Sequence, residues 1–272
     1  MASKASRDVW IRADGNDSRA GRSAANAVLT MAAAAALVVA YRGDRIHVVG
    51  TLDEEAGIPY GTNGVTIIGD GPRGAATIAP AGTNKTALTN HGIDVALINL
   101  GLEGDGTGGG LVNTGRRLSG AQCKIEGGAL ALHLKDGANG QSDGADVTFE
   151  DCEIAWATRG VKLSRGFHGA VTQAKFKRCL FHNLSASHME DGDGDVEGLF
   201  RDLLVADSVF CNMEGGAEPT KFLLLNGSNA NNGLVTRCTF PVALTSTKNL
   251  VSTAVEWVLN NHPAGLSTGQ PS

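Results

Sequence analysis

The chain has 272 residues, enough for one sizeable domain or solenoid. Its net charge of −5 and the absence of any Lys/Arg cluster argue against a nucleic-acid partner, because phosphate binding needs clustered cations. Only 5% of residues are aromatic while 37 are glycine, which points to many tight turns around a core of small aliphatics.

Residues 1–7 read as a polar arm, and Asp8 to Ile11 as a short strand. Ser23 to Tyr41 is almost uncharged and rich in alanine. It begins too far in for a secretory signal. As a membrane span it is too weakly apolar, and Asn26 and Thr30 interrupt it. The remaining reading is a helix that caps the open end of a solenoid, where strand edges would otherwise lie bare. The expected division is therefore an arm and capping helix over 1–42, a repeat region over 43–250 and a C-terminal cap and tail over 251–272.

From residue 43 onward one pattern recurs: apolar, any, apolar, any, any, small, any, apolar. Weak copies are Ile46-x-Val48-x-x-Thr51 and Val65-x-Ile67-x-x-Asp70. Fuller ones follow in Val95-x-Leu97-x-x-Leu100-x-Leu102, Leu118-x-Gly120-x-x-Cys123-x-Ile125 and Val147-x-Phe149-x-x-Cys152-x-Ile154. The last three are Ala174-x-Phe176-x-x-Cys179-x-Phe181, Leu203-x-Val205-x-x-Ser208-x-Phe210 and Gly233-x-Val235-x-x-Cys238-x-Phe240. The copies are spaced 19 to 30 residues apart, the range of stacked repeats. Period-2 alternation inside each copy is a strand signal, and the two residues in its middle read as a bend between strands. Turn signals such as Asn232-Gly233 separate the copies.

Several short strands per coil, stacked coil on coil, predict an all-β fold: a parallel β-helix of about eight coils with an N-terminal alanine-rich capping helix. Equivalent residues should then form ladders. Cys123, Cys152, Cys179, Ser208 and Cys238 make one, expected to be buried, with free thiols favoured over bridges because parallel side chains give poor disulfide geometry. The position before it reads Gln122, Asp151, Arg178, Asp207, Arg237, an alternation of charge that suits stacking. Leu250 to Asn261 reads as a last strand or a short closing helix.

The run Val9-Trp10-Ile11 through Gly15-Asn16-Asp17, the alanine-rich segment, Gly43-Asp44-Arg45-Ile46-His47-Val48-Val49-Gly50-Thr51 and Val65-Thr66-Ile67-Ile68-Gly69-Asp70-Gly71 resemble the entry to right-handed parallel β-helix proteins. That is the pectin-lyase-like superfamily of polysaccharide lyases, glycosidases and bacteriophage tailspikes. On the strands that carry the active site in its enzymes, the resemblance implies outward residues Ala131, His133, Lys162, Ser164, Leu223 and Leu225. This set holds no paired carboxylates and no arginine, and Ser164 shows no evident base.

Two further features invite function. Asp191, Asp193, Asp195 and Glu197 alternate with small residues and could wrap Ca²⁺. A solvated acidic loop with no cofactor is the competing reading. Leu180, Leu204, Val209, Leu223, Leu225 and Leu234 are expected to point outward as an apolar stripe, an interface for a homotrimer. With no catalytic face apparent, the sequence favours a structural, non-enzymatic virion surface protein, a bacteriophage capsid decoration or small spike, meeting other virion proteins and sometimes a surface glycan. Nucleic acid and membrane are not expected partners. A polysaccharide lyase or glycoside hydrolase is the alternative.

Overall fold

The structure is a computed structural model, which describes residues 5–135, 146–164, 173–191, 200, 202–211, 219–225, 232–241, 249–250, 255–262 and 265–267. It is a parallel solenoid with three walls. One wall is a ten-stranded sheet that begins with Asp8–Arg12 and ends with Val255–Val258. Neighbouring strands are one coil apart, as in Val147↔Ala174 and Lys175↔Leu204. A thirteen-stranded sheet forms the other two walls, here called the second and third wings. They are joined by the long strands Glu153–Ser164 and Leu180–Asp191, which run through both. The ten-stranded wall reaches past 43–250 at both ends, because Asp8–Arg12 pairs with Arg45–Val49 and Val255–Val258 with Gly233–Thr236.

The repeat pattern is what closes each coil. Its two apolar positions face inward from the first wall, and the bend follows. The residue before the small one is left-handed at every copy from Asn99 on: φ is 54° at Asn99, 58° at Gln122, 55° at Asp151, 52° at Arg178, 53° at Asp207 and 52° at Arg237. A single residue in this region turns the chain sharply, so the strand re-enters the second wing one small residue later. Aligned coils stack these bends. Arg178 reaches Asp151 with Nε–Oδ1 2.7 Å and Nη2–Oδ2 3.0 Å, and Arg237 reaches Asp207 at 2.6 and 2.8 Å. The alternation of charge read in the sequence is thus a pair of two-point ion pairs. Both are solvent-facing, so each contributes little. Asp207→Asn keeps a residue that tolerates the left-handed bend. It should move the melting temperature by less than about 4 °C, and by still less in high salt; a thermal scan at two salt concentrations checks this.

The core is a set of ladders. Cys123, Cys152, Cys179 and Cys238 are buried and unbridged, as expected. Burial pushes the Cys238 thiol up to about 11, so it stays protonated. Phe181, Phe210 and Phe240 stack with ring centroids 4.8 and 4.7 Å apart. Gly120 has no side chain because Phe149 of the next coil fills its place: a Cβ there would sit 2.5 Å from the ring.

The N-terminal cap is shorter than the alanine-rich stretch. The helix α1 spans Met31–Leu37 only. Val28 is extended against Ile11, and Thr30 caps the helix by accepting from the Ala33 N–H at 3.2 Å. Val38 is extended again. Glu54 accepts from the Met31 N–H at 2.8 Å, and Met31, Ala34 and Ala35 bury the inner face. No helix among the described residues is long and apolar enough to cross a membrane.

Candidate functional site

The third wing places the chemistry. Its register aligns Leu111, Leu132, Val161, Met189 and Leu223, all buried. The next residues along form the following row, Val112, His133, Lys162, Glu190 and Leu224, which faces outward. One position further, Asn113, Leu134, Leu163 and Asp191 turn inward again. The next outward row pairs Lys135 with Ser164. The alternation of a β-strand thus brings His133, Lys162, Glu190 and Ser164 onto one face from three coils.

Glu190 is the centre of charge. It is almost fully buried and accepts a hydrogen bond from the Ser187 hydroxyl at 2.6 Å. Arg159 Nε lies 2.7 Å from its Oε1, a contact of charge without an aligned hydrogen bond, and Lys162 Nζ lies 3.9 Å away. Two cations thus surround one buried carboxylate. Lys135 adds an exposed third cation. His133 Nε2 and Ser164 Oγ are 2.7 Å apart, a hydrogen bond whose donor depends on the imidazole tautomer. The same face continues toward the N-terminus with His91, whose Nδ1 is 2.5 Å from the Thr114 hydroxyl. Tyr60 stacks on His91 at 4.7 Å. Burial lowers the pKa of His91, which keeps it neutral at pH 7.

No protein-family model matches the sequence, and no curated protein matches it. Solved structures do. A pectin methylesterase from carrot aligns over 100% of this chain and 88% of its own, with TM-score 0.60 and 11% identity. One from Aspergillus niger aligns over 96% of this chain and 85% of its own, with TM-score 0.60 and 13% identity. The pectate lyase Pel9A aligns over 94% and 75%, with TM-score 0.55 and 15% identity. The fold is a right-handed parallel β-helix. Its hand is the one that parallel strand–crossover–strand connections take almost without exception.

Several expectations are corrected by this β-helix. The preference for a non-enzymatic virion surface protein is overturned by the matched structures, which include pectin methylesterases and a pectate lyase. Ala131, Leu223 and Leu225 do not face outward; all three are buried. Strict alternation fails at the corner between the two wings. There Phe222 stacks on His188 at 4.9 Å, and the next residue, Leu223, already lies in the buried row with Met189. Two consecutive residues point inward, so Leu224 and not Leu223 is the outward one.

The six apolar positions also make no single stripe. Leu204 and Leu234 are neighbours on the outside of the ten-stranded wall, while Leu180 and Val209 are neighbours on the outside of the second wing. Of the expected calcium set, Asp191 is buried in an inward row. Asp193, Asp195 and Glu197 lie outside the described residues. Among the described residues no group of three or more His, Cys, Asp or Glu is placed to hold a metal ion.

Arg159 and Glu190 were missed by sequence reasoning, and so was the contact of Ser164 with His133. Glu190 stands first in an acidic run and reads as part of a loop. Aligning Val161-Lys162 with Met189-Glu190 would have exposed it. His133 stands 31 residues from Ser164, and only the coil register brings the two together.

Proposed function

We propose that the protein is a carbohydrate-active enzyme that removes ester groups from an acidic polysaccharide lying along the outer face of the third wing. The observation that carries this reading is the 2.7 Å contact between Ser164 Oγ and His133 Nε2 on a face that also bears Lys135, Lys162 and Arg159. In the tautomer with Nε2 unprotonated, His133 takes the Ser164 proton as the hydroxyl oxygen attacks the ester carbonyl carbon. The alcohol leaves with that proton, and water repeats the sequence to free the carboxylate and Ser164. Lys135, which is exposed, attracts the uronate groups of the substrate, and Glu190 holds Arg159 and the buried Lys162 in place. The fold shared with pectin methylesterases and a pectate lyase supports a glycan substrate.

A retaining or inverting glycosidase is less well supported, because that chemistry needs two carboxylates about 5–10 Å apart. Among the described residues of this face Glu190 stands without a second outward carboxylate, since Asp191 points inward.

The test is release of methanol or acetate from esterified polygalacturonate. Wild type should release it, and Ser164→Ala and His133→Gln should lose at least about a hundredfold in rate with unchanged melting temperature. No release from any esterified uronate polymer, or full activity in Ser164→Ala, would overturn the reading. Appearance of unsaturated products would assign a lyase instead.

A further inference from the structure

Trp156 is out of place for a folded chain left to itself. It is 53% exposed, and its backbone is left-handed, with φ 51°. That conformation crowds the Cβ of ordinary residues and is adopted cheaply by Gly and Asn. The neighbouring coils obey the rule. Register pairs Glu126 with Ala155 and Ala155 with His182, so Trp156 stacks between Gly127, φ 86°, and Asn183, φ 52°. At this corner three successive coils hold Gly, Trp and Asn. The large residue leaves about half of its surface to solvent at a position its neighbours fill with Gly and Asn. A strained, exposed aromatic of this kind points to a contact outside the chain.

The surroundings fix the indole and supply polar groups beside it. The His182 ring meets it edge-to-face, with centroids 6.0 Å apart at 82°. His182 is 2% exposed; its Nε2 is 3.1 Å from Glu153 Oε1, while its Nδ1 has no partner. Glu153 also lies 3.9 Å from Arg73. An orientated aromatic face, linked through His182 to a carboxylate and through that to a guanidinium, suits a pyranose ring. Its C–H groups lie on the electron-rich ring face, and its hydroxyls reach the charged groups. Position adds direction. Trp156 precedes Arg159 by three residues on the strand Glu153–Ser164, so it lies within about 10 Å of the basic face.

We infer that Trp156 is a sugar-stacking subsite, where the polysaccharide turns the corner from the third wing onto the second. The identity of the ligand rests on the glycan reading of the third wing; the strain and exposure of Trp156 do not. The test uses Ser164→Ala protein, so that binding is measured without turnover. Oligogalacturonides of increasing length are titrated by calorimetry and tryptophan fluorescence. Trp156→Asn should keep or raise the melting temperature, because Asn fits the left-handed position. It should weaken binding of long oligomers by about tenfold. Trp156→Phe should retain most of the affinity, and short oligomers should bind all variants alike. Unchanged affinity of long oligomers in Trp156→Asn would overturn the subsite, as would a sharp fall in its melting temperature. Intact, Trp156-dependent binding with no ester release by wild type would leave the subsite standing and remove the proposed reaction. Ester release that ignores Trp156 would do the reverse. Failure of every oligomer to bind would overturn both.

Discussion

Cys152→Asp is expected to unfold the protein, while Cys152→Ser should leave it folded. Cys152 stands in the middle of the inward ladder, between Cys123 and Cys179, with 1% of its surface exposed. A carboxylate there is buried among apolar neighbours with no cation beside it. Isolated buried charges are among the few single changes that exceed about 4–5 kcal/mol, a large part of a typical total stability. Serine is different, because the ladder already contains one. Ser208 donates its hydroxyl to the Ala206 carbonyl at 2.9 Å and accepts from the Cys179 N–H at 3.1 Å. Cys152 Sγ sits 3.3 Å from the equivalent carbonyl, that of Glu150, so a serine hydroxyl at 152 finds the same acceptor. Circular dichroism and a thermal scan of the two variants decide the matter. A folded Cys152→Asp protein would place residue 152 outside the core.

The same ladder shows what could be read in advance. A position that must be small and buried in every coil leaves a mark at one spacing, and Cys123, Cys152, Cys179, Ser208 and Cys238 carried it. The bend before it was legible too, because charge alternation there needs only the stacking of adjacent coils. The third wing was legible in part. His133 and Lys162 emerged as outward residues, and the register pairs them. The face failed to resolve where the strand turns a corner. Phe222 and Leu223 both point inward there, so strict alternation along the strand puts Leu223 and Leu225 on the wrong side. Glu190 was hidden for a related reason. It stands one residue before the end of its strand and begins an acidic run, and composition spoke louder than register. Ser164 and His133 share no local pattern at all. Their contact depends on coil length, which varies from repeat to repeat.

His188 should make the protein acid-sensitive well above the carboxylate range. It is fully buried, with Phe222 stacked on it and the Phe210 ring edge-on at 5.6 Å. Neither ring nitrogen has a partner with hydrogen-bond geometry. Burial lowers its pKa to about 3; the nearby His182 pushes the same way, and weak contacts with the backbone of Cys211 and Phe181 oppose it. In the unfolded chain a histidine titrates near 6.5. Above that pH both states hold the neutral ring, and the full stability is present. Below it the unfolded state binds a proton that the folded state refuses, so stability falls as pH drops, down to about 3. Each pH unit is worth about 1.4 kcal/mol, so the loss on reaching pH 4 is on the order of 3 kcal/mol.

Aspartates such as Asp94, Asp151 and Asp207, whose hydrogen bonds to arginine lower their pKa values, lose stability in the same direction at still lower pH. They are common to wild type and variant and cancel in a comparison. Denaturant midpoints of wild type and His188→Phe at pH 7, 5.5 and 4 therefore isolate the one residue. The variant removes the titration and keeps an aromatic ring against Phe222. Its stability relative to wild type should rise by about 3 kcal/mol between pH 7 and pH 4, whatever the offset at pH 7 from the change in ring size. Parallel pH profiles for the two proteins would show that His188 reaches solvent or a hydrogen-bond partner in the folded state.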